Sequence, residues 1–139
     1  MRIGINQGPA NTPEHALVAY LSAWQSQDWH GMEQATNISW RRLQPIPIIP
    51  LRNWYADKRL KSIEIVTVDP NPDAIPIVKE AATDITFKGT YILNGKRHTK
   101  LFRARVLLEN EQAALVDKTS DQLGKWGVNP LSTLREWAA

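Results

Sequence analysis

The chain contains no cysteine among its 139 residues. Disulfides, thiolate metal ligands and a cysteine nucleophile are therefore excluded. Histidine is also scarce, because the chain contains only His15, His30 and His98. No two of them have the i, i+4 spacing of a helical metal site. We therefore expect no metal and no cofactor.

Long hydrophobic runs are missing as well. A membrane-spanning helix needs about 20 consecutive apolar residues, and the most hydrophobic segment is interrupted by Pro45, Pro47 and Pro50. The N-terminus has one arginine but lacks the apolar segment of a signal peptide. We predict a protein without a membrane partner, located in the cytoplasm, or outside it if a signal segment has been removed.

The remaining composition is that of an ordinary globular domain, with 42% hydrophobic and 22% charged residues. A chain of this length usually forms one domain with its own core. Residues 1–11 are polar and contain two glycines, so we expect them to form a flexible arm. A single domain should then cover residues 12–139.

The net charge is +3, and basic residues cluster between positions 41 and 61 with Trp40, Trp54 and Tyr55 among them. Such a cluster could contact phosphates and stack on bases. An amphipathic helix with a basic solvent-facing side shows the same pattern, because Arg and Lys stems cover aromatic surface. Binding of nucleic acid is therefore not expected.

The best-defined element is an amphipathic helix that begins at Pro13. Thr12 can cap it, Pro13 suits the first helical position, and Glu14 favours the positive end of the helix dipole. Asp28 can cap a shorter second helix that runs through Met32. The apolar residues of the first helix recur at three- and four-residue spacing, and they are Leu17, Tyr20, Leu21 and Trp24.

The segment NTPEH, followed by Tyr20, Asp28 and a short second helix, resembles the opening of the ketosteroid isomerases. These enzymes belong to the nuclear-transport-factor-2-like (SnoaL-like) superfamily. The resemblance implies an α+β fold in which a cone-shaped, curved antiparallel sheet wraps around the long first helix, as in cystatin-like folds. Of the three isomerase catalytic residues, it provides only the tyrosine, since Gln44 and Lys100 stand near the positions of the two carboxylates.

Prolines and isoleucines alternate over residues 38–50, which predicts an extended connector. Pro50 suits the first turn of a third helix, with Leu51, Trp54 and Tyr55 on its apolar side and residues 57–61 as its charged end. Strands are predicted at residues 62–69 and 80–93, where β-branched residues alternate with polar ones. One or two further strands are expected at 113–117 and 125–129, and a last helical turn at 132–139.

The dipeptide Asn94-Gly95 predicts a two-residue hairpin turn, because both residues tolerate positive φ. This turn pairs Phe87 with Phe102 and Gly89 with Lys100 on one face, which we predict to be the core side. The opposite face carries Asp84 and Arg105 and should be mostly solvated. Ala82 and Leu107 interrupt that polar face, which favours a homodimer formed through the outer sheet face.

The first helix and the core side of the sheet should enclose a mostly apolar pocket. Lys100 on an apolar face must either reach the rim or meet an anion. The expected ligand is therefore a small hydrophobic or carboxylate-bearing molecule. The candidate ligand-binding residues are Tyr20, Trp24, Trp54, Phe87, Lys100, Phe102 and Trp126.

These features leave three functions open. The favoured one is a non-catalytic small-molecule-binding or interaction domain, because no carboxylate stands where a catalytic base is needed. The second is a SnoaL-like cyclase, dehydratase or isomerase that uses other residues, such as Tyr20 with Asp84 or His98. The third is a dimeric scaffold whose interior is filled by aromatic side chains, since the chain has six tryptophans. We assign no catalytic residue.

Overall fold

The computed structural model describes residues 12–70, 82–108 and 126–130. Within these ranges helices come first and strands follow, so the chain is α+β with an antiparallel sheet in the order β1-β2-β3-β4. The elements are α1 (Pro13–Ser26), α2 (Trp29–Gln34), α3 (Ile38–Arg42), α4 (Ile48–Tyr55), β1 (Lys58–Pro70), β2 (Ala82–Leu93), β3 (Lys96–Leu108) and β4 (Trp126–Asn129).

Capping residues define the ends of the first two helices. The Thr12 hydroxyl accepts a hydrogen bond from the His15 backbone N–H at 3.2 Å. α1 ends at Ser26, and its C-cap residue Gln27 has a left-handed φ of 58°. The Asp28 carboxylate then accepts a hydrogen bond from the Gly31 N–H at 3.0 Å and starts α2. Both predicted helix starts are confirmed.

The proline-rich segment is more helical than its sequence predicts. We expected an extended connector over residues 38–50, but it contains α3 and the first three residues of α4. Pro50 is tolerated because the first turn of a helix has backbone N–H groups without an intrahelical partner. The prediction that residues 57–61 form the charged end of a helix is also wrong. Lys58 pairs with Leu93, so β1 already begins beside the hairpin turn.

The β2–β3 hairpin has the register that the sequence predicts. Its Asn94-Gly95 turn adopts φ values of 53° and 76°, as a type I′ turn requires. Phe87 pairs with Phe102 and Gly89 with Lys100. β1 pairs antiparallel with the other side of β2, with two register shifts. The turn therefore determines which residues face the core.

The outer face of the sheet is less solvated at one end than we expected. Arg105 donates two hydrogen bonds to the Asp84 carboxylate, from Nε at 2.8 Å and from Nη2 at 2.9 Å. The two side chains are 17% and 12% exposed, and Ala82 at the same end is 1% exposed. The chain itself buries this end of the face, so Ala82 is not a reason to expect a dimer.

A parallel bridge attaches the α2–α3 link to the edge of the sheet. The Val128 N–H donates to the Ala35 carbonyl at 2.8 Å, and the Asn37 N–H donates to the Val128 carbonyl at 2.9 Å. The Val128 side chain is completely buried. A Cβ atom at Gly127 would lie 2.6 Å from the Asn37 Cα, so only glycine fits at this crossing.

Several predicted elements lie outside the described residues. They are the arm at 1–11, the first residues of the strand expected at 80–93, the strand at 113–117 and the helical turn at 132–139. In the parts of the chain that the structure describes, no helix is both long enough and apolar enough to span a membrane.

Gly127→Ala is expected to lower the free energy of unfolding by about 1 to 3 kcal/mol through overpacking. The Asn37 backbone cannot move away without losing its hydrogen bond to Val128. Gly95→Ala is the matched control, because its Cβ would meet no atom within 4 Å and only the left-handed φ is unfavourable, at about 1 kcal/mol. Urea denaturation measures both variants, and an unchanged stability of Gly127→Ala would contradict the close approach.

Candidate functional site

Aromatic side chains of the protein occupy the space between α1 and the sheet. Tyr20, Trp24, Tyr55, Phe87 and Phe102 are each 0% or 1% exposed. A cavity able to hold one water molecule would leave accessible surface on the side chains around it. The interior residues that we expected to line a pocket therefore pack against one another at the density of a core.

Tyr20 and Tyr55 form a buried hydroxyl pair. Tyr20 Oη donates a hydrogen bond to Tyr55 Oη at 3.0 Å, and the two rings meet edge to face with centroids 6.0 Å apart. Burial raises the pKa of Tyr20 well above its ordinary value of 10.0, and the Tyr55 hydroxyl raises it further. Burial also raises the pKa of Tyr55, although the bond from Tyr20 opposes this shift. Both hydroxyls are therefore neutral at physiological pH, and Tyr20 donates to a protein group.

Trp24 connects α1 to the α4–β1 junction. Its indole Nε1–H lies 2.9 Å from the Lys58 carbonyl oxygen and 3.3 Å from the Tyr55 carbonyl oxygen. Its ring lies 4.8 Å from the Tyr55 ring, centroid to centroid. A buried indole N–H without an acceptor would be unfavourable. These contacts therefore fix the path of the chain where it passes from helix to strand.

The phenylalanine pair leaves no space for Lys100 in the interior. Phe87 and Phe102 stack across β2 and β3 with centroids 5.3 Å apart. A Cβ atom at Gly89 would lie 2.9 Å from Phe102 Cε2, so the Phe102 ring fills the space beside Gly89. Lys100 is exposed. Its side chain reaches solvent at the rim, which is one of the two alternatives that we predicted for it; the other was contact with an anion.

The other two candidates, Trp54 and Trp126, are half-buried and pack against the core cluster from outside. The Trp54 ring lies 6.1 Å from that of Trp40, centroid to centroid. Sequence reasoning did not select Tyr55 as a site residue, although its i, i+4 spacing from Leu51 indicated an inward position. Every candidate except Lys100 thus belongs to the core or packs against it.

Tyr20 and Asp84, two residues of the catalytic alternative, lie on opposite faces of the sheet. The Asp84 carboxylate lies on the outer face of the sheet and is bound by Arg105, whereas Tyr20 is on the core side. His98 stacks on Tyr91 near the hairpin turn, with ring centroids 5.2 Å apart. One substrate cannot reach Tyr20 and Asp84 from the same side of the sheet. The described ranges contain no group of three His, Asp or Glu residues able to hold a metal.

A cavity of about 200 Å³ lies outside the core, between the end of α1 and the start of β1. We call it the rim cavity. Trp24 and Leu60 are buried and form its floor, whereas Gln27, Arg59 and Lys61 are exposed. Sequence reasoning missed this site because the basic residues were assigned to a helix end. The lining residues are Trp24, Gln25, Gln27, Arg59, Leu60 and Lys61.

Tyr20→Phe and Tyr55→Phe are each expected to lower the free energy of unfolding by about 1 to 2 kcal/mol, because each removes a partner of a buried hydroxyl. The double variant should lose less than the sum of the two losses, since both polar groups are removed together. Urea denaturation of the four proteins measures this coupling. Additive losses would show that the two hydroxyls do not stabilise each other.

The tyrosine pair also predicts a loss of stability at alkaline pH. A tyrosine with a raised pKa keeps its proton in the folded state after the unfolded chain has released it. Its contribution is complete below the unfolded pKa of 10.0 and is lost as the pH rises from there through the folded pKa. The slope reaches about 1.4 kcal/mol per pH unit for each tyrosine. Unfolding free energies measured above pH 10 should fall less steeply in Y20F/Y55F than in the wild type, and parallel slopes would contradict this account.

No protein-family model matches the chain, and no curated protein matches it. Among solved structures, the chain is similar to the crystal structure of a sec-c motif containing protein from Psychrobacter arcticus, with a TM-score of 0.60 and 15% sequence identity. The match covers 89% of this chain and 62% of that protein, so the chain spans less than two thirds of its length. At this identity the similarity concerns the fold alone, and it agrees with the α+β architecture.

Proposed function

We propose that this chain is a non-catalytic interaction domain of the nuclear-transport-factor-2-like type, with an interior filled by its own side chains. One observation carries the proposal: Tyr20, Trp24, Tyr55, Phe87 and Phe102 are no more than 1% exposed. A ligand in the interior would have to displace such rings, and the packing of each large ring is worth about 3 to 5 kcal/mol. Binding is then expected on the surface.

The fold type is supported by the order of the elements and by the N-terminal helices. Thr12 caps a long first helix that presents Tyr20 and Trp24 to the sheet, and Asp28 caps a short second one. Helices precede a sheet of long antiparallel strands. These are the features in which the sequence resembles the superfamily.

A non-catalytic role is supported by the groups that stand at the isomerase positions. Gln44 and Lys100 cannot act as the general base and the protonated acid that proton abstraction next to a carbonyl requires. The Tyr20 hydroxyl donates to Tyr55 instead of to a substrate. A SnoaL-like enzyme with other residues would need Tyr20 together with Asp84 or His98. Asp84 lies on the opposite face of the sheet from Tyr20, and the His98 ring is stacked on Tyr91.

The partner that we propose is a second copy of the chain, docked through the outer sheet face. Leu101 is 58% exposed in the middle of β3 and supplies an apolar centre. Glu64, Lys88 and Leu101 form one row across β1, β2 and β3. A two-fold axis at Leu101 would bring the Leu101 side chains of the two copies together as an apolar centre, with Lys88 and then Glu64 farther from the axis.

Native mass spectrometry of the purified protein tests this proposal. We expect a dimer without a small-molecule adduct. Leu101→Lys places a second cation beside Lys88 and should weaken the dimer by at least about tenfold, because like charges would be desolvated together. Leu43→Lys is the matched control, because Leu43 is 79% exposed and lies outside the sheet, and the dimer should persist.

Two outcomes would contradict the proposal. A monomeric wild-type protein would remove the proposed partner. An adduct that is lost on denaturation and persists in the variant R59Q/K61Q would place a ligand outside the rim cavity, which the filled interior does not allow. An adduct that disappears in R59Q/K61Q would instead belong to the rim cavity and leave the filled interior intact.

A further inference from the structure

We propose that the link between α3 and α4 binds the surface of an anionic phospholipid membrane. Three aliphatic side chains, those of Leu43, Ile46 and Ile49, would enter the acyl-chain region while nearby arginines contact the headgroups. We call these three side chains the apolar patch. Such binding lies in the plane of the membrane surface and needs no spanning helix. The expectation of no membrane partner rests on the lack of a spanning segment, which surface binding does not require.

The apolar patch is accessible to a partner. Leu43 is 79% exposed, Ile46 55% and Ile49 42%. Six large hydrophobic side chains are exposed in the parts of the chain that the structure describes, and three of them fall within residues 43–49. A single exposed apolar residue needs no explanation, whereas a concentration of them marks a binding surface. The hydrocarbon that would contact a partner is therefore already in solvent and need not be uncovered.

The charge around the apolar patch has one sign. Residues 34–56 contain three arginines and no aspartate or glutamate. Arg42 directly precedes Leu43, and Arg52 follows Ile49 by three positions on α4, so that each is a neighbour of a patch residue. Both arginine side chains are exposed. Cations that flank exposed aliphatic groups match a membrane whose headgroups are anionic and whose interior is apolar.

The backbone of the link is suited to an apolar environment. An N–H group without an acceptor is costly to transfer into lipid. Of the eight residues 43–50, three are prolines, which have no N–H. Three others donate to backbone carbonyls at 3.1 Å each, from Leu43 to Trp40, from Gln44 to Arg41 and from Ile49 to Ile46. The side chains of the patch can therefore enter the membrane without burying these donors unpaired.

A protein partner fits the apolar patch less well than a membrane does. A stable protein interface uses about 20 to 30 residues on each side and is anchored by aromatic side chains. Here the exposed groups are aliphatic and come from one short segment, whereas Trp40 is buried and Trp54 half-buried. A second copy docked here would bring arginines of the two chains together, with no acid in residues 34–56 to pair with them.

Vesicle flotation of the full chain tests the proposal with two lipid compositions: phosphatidylcholine alone, and equal parts of phosphatidylcholine and phosphatidylserine. We expect the protein to float with the anionic vesicles and to bind the neutral ones at least about tenfold more weakly, because only anionic headgroups attract the arginines. Added salt should weaken the binding to anionic vesicles. Free phosphoserine should not compete, because it lacks the acyl chains that accept the apolar patch.

Variants locate the contact. Ile46→Ser should weaken binding to the anionic vesicles about tenfold, because it removes apolar area that enters the membrane. Val66→Ser is the matched control, because Val66 is also β-branched and is 49% exposed but lies on β1, and binding should be unchanged. Arg52→Gln should weaken binding about fivefold, whereas Lys88→Gln, which removes an exposed cation of β2, should not. Unfolding midpoints in urea confirm that all four variants remain folded.

Each alternative result would overturn the proposal. No flotation with either vesicle removes the site. Equal binding to neutral and anionic vesicles would show that the arginines take no part, and competition by phosphoserine would indicate a headgroup site that does not use the apolar patch. Undiminished binding of Ile46→Ser would place the contact elsewhere. A dimer that dissociates in Ile46→Ser without lipid would assign the patch to a second copy. The vesicle results do not bear on the dimer of the outer sheet face, which Leu101→Lys tests.

Discussion

The hydrogen bonds of the Trp24 indole at the α4–β1 junction join the helices to the sheet. They connect a side chain of α1 to the backbone carbonyls of Tyr55 and Lys58. Tyr55 is the last residue of α4, and Lys58 is the first residue of β1. The Tyr20 hydroxyl adds a second bond between α1 and α4. Buried polar contacts of this kind are directional, and an alternative packing would leave their donors unpaired. They therefore select one position of the helix on the sheet, whereas apolar contacts alone would tolerate several.

This arrangement explains why the interior is filled. With α1 fixed by Tyr20 and Trp24, the space above β2 and β3 is taken by the stacked rings of Phe87 and Phe102. The missing side chain of Gly89 provides the room that Phe102 occupies. A core packed in this way has no side chain available for a ligand, and any specific recognition must use residues that point outward.

The sequence predicts those parts of the structure that depend on local chemistry. The caps at Thr12 and Asp28 and the turn at Asn94-Gly95 each act within a few residues, and the register of the hairpin follows from its turn. Predictions based on a local pattern are wrong where distant contacts decide. Residues 58–61 begin β1 because Lys58 pairs with Leu93. The partly helical segment at 38–50 has a local cause instead, since Pro50 lies in the first turn of α4, where no intrahelical N–H donor is needed. The burial of Asp84 with Arg105 likewise depends on tertiary packing.

The same reasoning explains why the predicted site lies in the interior, whereas the cavity in the structure lies at the rim. The sequence identified the aromatic residues correctly as neighbours, but side-chain identity does not show whether rings touch or enclose a void. The bulge at Lys61 could not be read from the sequence, because it arises from the pairing of β1 with β2. Trp24 and Leu60 are anchored in the core on one side and form the floor of the rim cavity on the other. The packing that closes the interior therefore also determines the inner wall of the rim cavity.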